Sequence, residues 1–345
     1  MAHIDIFNSD AFSAVSLTAA VNKFPRIPTL LGDMGLFTVK SSPTSTVSFE
    51  QESSTLGLVQ TSERGSPLGV GGGRARTIRH FEAPRIAKSN RLNAAELANL
   101  RAFGSESELA VVQGEVSKRM ASLVADVNLT WENMRLGAVQ GIVKDADGST
   151  LYNLYTKFDV IQPSEVDFDL DNASPASGAL RKACAGIVRA TKNAAQNGWI
   201  NGRTYVVGLC DDTFWDQLIA HTEVRATYLN QVAAAELRGD AHSGRLNFGG
   251  IEFIHYEGTD GSAETANVKV PTGTCKFFPV DTAPDFWQAV LTPGEFFPTI
   301  NRPGEALYAL TIPDRDREAF VQIEVYSYPL FVCTRPLALQ RARNT

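Results

Sequence analysis

The stretch from Ser105 to about Val143 constrains the chain most. Its apolar positions are Leu109, Val112, Val116, Met120, Leu123, Val127, Trp131, Met134, Ala138 and Ile142, spaced 3, 4, 4, 3, 4, 4, 3, 4 and 4. That rhythm draws one stripe down a helix and is incompatible with the two-residue period of a strand. No proline interrupts it. Ser105, three residues before Glu108, supplies a capping box in which hydroxyl and carboxylate each take an orphan backbone N–H. Asp145, Asp147 and Gly148 are expected to break the helix. About 38 residues make a rod on the order of 55 Å long, roughly three times the mean helix, so something elongated must lie along it. An 11-residue repeat keeps such a helix nearly straight. Gly114, Gly137 and Gly141, with Ser117, Ser122 and Asn128 on the flanks, are poor company for a heptad seam. The stretch reads as one spine helix packed along one side of a sheet.

A chain of 345 residues has room for two domains, or for one core with long excursions. The 32 basic and 38 acidic residues leave a net charge of −6, which argues against a protein whose main task is gripping nucleic acid. Cys184, Cys210, Cys275 and Cys333 lie 26, 65 and 58 residues apart. No pair has metal-ligand or redox spacing, so buried free thiols in a reducing compartment are expected. No apolar run is long enough to span a bilayer, and the first residues lack a basic-then-apolar signal. Manufacture in a cytoplasm, or use in something assembled there, follows.

Residues 1–44 read as an arm. Ser13 to Lys23 can form a short helix, but Pro25, Pro28 and Pro43 force extended segments, and the arm must lie on another surface. Thr46–Glu50 and Thr77–Glu82 alternate with period two. The polar and glycine-rich run between them makes 45–90 an extended β-hairpin, marginal without a partner surface. Asn93 opens a short helix leading to the spine. After it, Leu151–Val160 reads as strand with aromatic weight, and Val166–Leu170 alternates. The break at Asp171–Gly178 is the best domain boundary, so that 91–175 forms a peripheral domain and 176–312 an axial one.

Within the axial segment, helix and strand alternate. Leu180, Cys184, Ile187, Val188 and Thr191 share a helix face closed by Asn197-Gly198. Tyr205–Leu209, Ile251–Tyr256 and Cys275–Val280 read as strands, and Asp211 or Asp212 caps a helix carrying Phe214 and Leu218. Glu257–Asn267 is a polar loop. Pro284–Pro303 is expected to be a folded loop rather than a sheet member. Glu318–Val332 reads as one long strand rejoining the sheet beside the spine, with 313–345 returning to the peripheral domain and the basic tail Gln340–Thr345 solvated.

Candidate chemistry is thin. Gly69–Arg74 could cradle a phosphate, but the sixth position of Gly-x-Gly-x-x-Gly is Arg74, no Lys-Ser/Thr follows, and a strand rather than a helix comes next. A flexible hairpin tip explains it better. His3, His80, His221, His242 and His255 are scattered. His242-Ser243-Gly244 lacks the Gly-x-Ser-x-Gly frame. Asp211-Asp212 after a strand could be an acid/base or metal pair, yet a helix cap accounts for it. Asp314–Glu318 is a solvated charge run or a neighbour-pairing one. Asn128-Leu129-Thr130 matches a glycosylation acceptor in mid-helix, where it carries no meaning. No catalytic, cofactor-binding or metal residue is assigned, and no cofactor is expected.

The order of arm, long hairpin, spine helix, inserted α/β domain and returning strand resembles the Hong Kong 97-type α+β fold of tailed-phage major capsid proteins. More narrowly it resembles the lambda-type capsid protein E family. Tyr205–Leu218 is similar to that family's strand, aspartate and aromatic helix segment. Gly249–Gly258 is similar to its glycine-led strand, and Ser327–Val332 with Pro336 to its C-terminal Ser-x-Pro-Leu strand. By element order the likeness spans nearly the whole chain, by motif about the C-terminal half.

The resemblance implies a virion head subunit forming pentamers and hexamers of an icosahedral shell around double-stranded DNA, assembled in the host cytoplasm and without a membrane. A mildly acidic container suits a cargo it must not hold tightly. The hairpin would lie over a neighbouring subunit, the arm would wrap another, and the inserted domain would crowd the capsomer centre. Some relatives cross-link through a hairpin lysine. None occurs here between Lys40 and Lys88, so no such bond is expected and a decoration or cement protein becomes the substitute. Nothing before the arm serves as built-in scaffold, so a separate scaffolding protein is expected, with a portal. The alternative is a soluble α/β enzyme or phosphate/nucleotide-binding protein using the Gly/Arg loop 69–76, with Arg74 and Arg76 as ligands.

Overall fold

The computed structural model describes residues 30–53, 75–98, 108–172, 174–229, 244–256 and 268–345. A short helix α1 (Leu30–Asp33) leads into β1 (Thr38–Ser41). Then β2 (Thr46–Ser53) and β3 (Ala75–Glu82) pair antiparallel, Thr46 opposite Glu82 and Ser53 opposite Ala75. Next come β4 (Ile86–Asn93), α2 (Ala94–Ala98) and the spine α3 (Glu108–Gln140). The hairpin β5 (Ile142–Lys144)/β6 (Thr150–Asn153) follows, then α4 (Leu154–Phe158) and β7 (Val166–Asp167).

The chain continues through α5 (Ala179–Ala195), β8 (Tyr205–Cys210), α6 (Asp212–Ala220), α7 (Thr222–Leu229), β9 (Arg245–Phe248), β10 (Ile251–His255) and β11 (Thr274–Val280). The chain closes with β12 (Trp287–Leu291), β13 (Tyr308–Pro313), β14 (Phe320–Ser327), β15 (Pro329–Cys333) and β16 (Gln340–Arg343).

Two cores organise these elements. The first surrounds the spine, whose 33 residues span about 50 Å. Val116, Met120, Leu123, Val127, Trp131, Met134 and Ala138 of its stripe are all buried. They pack on the sheets β13-β14-β4 and β1-β12-β15. The second core lies on one face of the six-stranded sheet β7-β16-β11-β8-β10-β9. There α5 and α6 bury Leu180, Cys184, Ile187, Phe214 and Leu218 against Val206, Phe253 and Phe277. The other face of that sheet, through Val207, Leu209 and Phe278, joins the spine core.

Several expectations are corrected. The spine stops at Gln140, before Asp145, because Gly141 turns left-handed (φ +83°) with its α-carbon against the Tyr155 ring, where no side chain fits. Ile142 and Val143 then pair with β6. The aromatic strand expected at 151–160 becomes one helical turn from Leu154, because the Asn153 side chain accepts the Tyr155 and Thr156 N–H groups. Residues 86–90 belong to β4, paired with β14, and not to the hairpin.

Pro284–Pro303 is not all loop. Trp287–Leu291 is buried on both faces between β1 and β15, so it shows no alternation, and its prolines only flank it. β12 and β13 lie in the sheets β1-β12-β15 and β13-β14-β4 and not in the six-stranded sheet. The long strand 318–332 is two strands in different sheets, divided at Tyr328 where the residue before a proline turns the chain. The tail is not solvated. β16 lies between β11 and β7 with Ala342 wholly buried, because Arg341 and Arg343 point to partners at Pro163 and Asp167. The capping-box Ser105, the arm before Leu30, the loop Glu257–Asn267 and the hairpin tip lie outside the described residues.

Candidate functional site

The root of the arm is seated on the spine. Glu132 and Arg135, three residues apart, sit beside the apolar stripe and are both buried. The Glu132 carboxylate accepts the backbone N–H groups of Leu31 (2.7 Å) and Gly32 (3.2 Å), filling orphan donors of α1. Arg135 donates to the same carboxylate at 3.4 Å, and its guanidinium lies over the rings of Trp131 and Phe331. Trp131 Nε1 donates to Ser327 Oγ, which donates to the Ala306 carbonyl. Phe37 stands edge-on to Trp287 and Phe331, 5.3 Å from each, and β1 runs parallel to β12. Residues 30–41 therefore lie on their own chain.

The root of the hairpin is fixed by aromatic contacts. Phe81 is buried among Phe49, Tyr152 and Phe158, with Lys157 Nζ over its ring. Tyr152 donates to the Phe331 carbonyl at 3.0 Å, and complete burial holds its phenol far above the ordinary pKa. Along the strands Arg76 pairs with Glu50, and Ser48 meets His80. Gly69–Arg74 lies outside the described residues. Arg119 binds β4 and α2 to the spine through Glu115, Glu96, Asn90 and the Arg91 carbonyl.

The sequence candidates for chemistry resolve into structure. Asp211 is the cap of α6, accepting from Thr213 N (3.1 Å) and from Gly273 N (2.9 Å), so its carboxylate ties two loops together. Asp212 pairs with His255 Nε2 at 2.7 Å, and Trp215 stacks on that imidazole. His221 accepts the Glu223 N–H after α6. Asn128 is buried in the spine. Asp314 closes the β13–β14 turn by accepting from Asp316 and Arg317 N–H groups. All four cysteines are free and buried, and burial lifts the Cys184 and Cys333 thiols from about 9 to about 12. His3 and His242 lie outside the described residues, among which no group of three metal-ligating side chains gathers.

What the sequence analysis missed is on the surface. The segment between β12 and β13 carries a short 3-10 turn, Phe297–Thr299. Thr299 closes it, its hydroxyl donating to the Gly294 carbonyl and its N–H to the Phe296 carbonyl. Glu295 pairs with Arg85, and Phe296 packs edge-on against Tyr326. This leaves Phe297 94% exposed and Ile300 52% exposed. Val39 on β1 and Ile78 on β3 are also out in water. The Glu132–Arg135 pair had a signal: two opposite charges at i, i+3 hard against an apolar stripe. The turn had none, since Phe-Phe-Pro reads as core.

These features are buried ties and exposed apolar side chains, and comparison with known proteins defines the class. The fold aligns with a crystal structure of an E. coli CFT073 prophage protein described as a capsid protein, at 12% identity and TM-score 0.59, covering 96% of this chain and 99% of that one. It also aligns with the capsid of cyanophage P-SCSP1u, at 12% identity and TM-score 0.51, covering 94% and 90%. The α+β architecture is thus the Hong Kong 97-type fold of phage capsid proteins.

The model of the family "Phage major capsid protein E" matches residues 13–344, and the chain belongs to that family. Among curated relatives, the major capsid protein of Pseudomonas phage KPP10 is 25% identical over 327 residues, covering 90% of this chain and 91% of that one. That of Salmonella phage Felix O1 is 24% identical, covering 96% of both. The role is that of a tailed-phage major capsid protein, and the nucleotide-binding enzyme alternative finds no support here.

Proposed function

We propose that the chain assembles with copies of itself, as hexamers and pentamers, into the icosahedral head that encloses a tailed phage's double-stranded DNA. The observation that carries this is where the fold leaves its apolar side chains. Among the described residues the two-stranded hairpin β2–β3 pairs with no third strand, and a lone hairpin of this kind needs a partner surface; Ile78 on it, like Phe297 on the β12–β13 turn, stands in water. In this reading the hairpin lies over one neighbour and the arm, beyond its own seat at Leu31, reaches another. DNA is enclosed without sequence readout, in keeping with the net charge of −6. The role is structural, with no catalytic centre, cofactor or metal.

A separate scaffolding protein, a portal and a decoration protein complete the scheme, assembled in the host cytoplasm. Among the described residues no helix is long and apolar enough to cross a membrane. The test is negative-stain electron microscopy of the protein expressed alone and with its neighbouring gene products. Shells, tubes or capsomer rings are expected in at least one preparation. Compact small particles in both would overturn the proposal.

A further inference from the structure

The exposed turn at Phe297 has a counterpart on the same molecule. A cleft of about 230 Å³ opens between β4 and the spine, lined by Ile86, Val127, Leu129 and Val268 together with the polar Thr130 and Asn133. Its rim carries the exposed Lys88–Asp126 ion pair at 2.6 Å. A cavity of about 150 Å³ already accommodates a benzene ring, so the cleft has room for one phenyl group. Phe297 does not fill it within its own chain, since the side chain is 94% exposed.

The turn is held in place rather than free to fold back. The Arg85–Glu295 ion pair, the Phe296–Tyr326 contact and the Thr299 hydrogen bonds fix its base. Arg85 is also the residue before Ile86 in the cleft, so turn and cleft occupy the same corner of the molecule. A protruding ring and a receptor that differ within one chain make a head-to-tail contact, which forms a ring if the rotation closes and a filament if it does not.

We infer that Phe297 of one subunit inserts into the β4–spine cleft of the next, making this corner a junction between copies. The inference rests on the self-assembly proposed above and adds the residues that meet. Because Phe297 touches little of its own chain, Phe297→Ser should leave the melting temperature of the dissociated subunit unchanged while lowering particle yield at least tenfold. Phe297→Leu should restore most of that yield.

The decisive experiment is disulfide trapping in assembled particles. One chain carries Phe297→Cys and another Ala146→Cys, which lines the cleft. The native cysteines are buried and supply a silent background. Cross-linked dimers after mild oxidation are expected only when both variants are present. Particles without that cross-link, or equal cross-linking of Phe297→Cys alone, would overturn the junction and leave the capsid role standing. Absence of particles from the unmodified protein, alone and with its neighbouring gene products, would overturn both.

Discussion

Glu132 is the residue on which the arm's exit depends, because one carboxylate serves two backbone donors and a guanidinium in a place closed to water. Removing one partner of a buried ion pair costs about 3–5 kcal/mol. Glu132→Ala should lose about that much in urea unfolding. Glu132→Gln keeps the acceptor oxygen for Leu31 and should lose roughly half as much. The buried thiols and phenols predict the alkaline limit. Cys184 and Cys333 rise from about 9 to about 12 by burial, and Tyr155 reaches about 12 for the same reason. With folded values above unfolded ones, the unfolded chain releases these protons first. Stability is therefore intact below about pH 9 and declines as pH climbs toward 12. Thermal melts across that window check the slope, and alkylation at pH 8 should label no cysteine until the chain unfolds.

At the scale of elements, Gly141 decides where the spine becomes a hairpin. Its left-handed backbone and its contact with Tyr155 leave no room for a methyl group. Gly141→Ala should cost about 2–4 kcal/mol, readable as a shifted urea midpoint. The spine itself was legible because 3–4 spacing survives any tertiary context, and so was the hairpin base, where Thr46–Glu50 and Thr77–Glu82 alternate. The strands read correctly in the six-stranded sheet were short apolar runs bounded by turn residues. What could not be read is local competition settled by packing. The Asn153 cap outbid an aromatic strand pattern, Trp287–Leu291 hid its pairing by being buried on both faces, and Pro329 divided one apolar run between two sheets. Glu132 and Phe297 escaped because their meaning lies in what they face, a contact that spacing along the chain does not encode.

At the scale of the whole molecule, the two cores are stitched by the final strand. The chain leaves the spine, builds most of the six-stranded sheet, returns through β12 to β15, and crosses again to lay β16 between β11 and β7. Asn344 extends the stitch, its side-chain amide donating to Gln217 Oε1 and its backbone N–H to the Gly273 carbonyl. Deleting Gln340–Thr345 removes the strand that β7 pairs with and uncovers the edge of β11. The truncated chain should keep a folded spine body, lose protease resistance first between 161 and 280, and form no particles on electron microscopy grids. A further consequence concerns the order of folding. The neighbouring strands β8, β11 and β16 come from positions 205–210, 274–280 and 340–343, so this layer closes only after distant segments have met. Contacts so far apart in sequence form slowly, whereas the turns of the spine are local. The spine should therefore acquire hydrogen-exchange protection before the six-stranded sheet does.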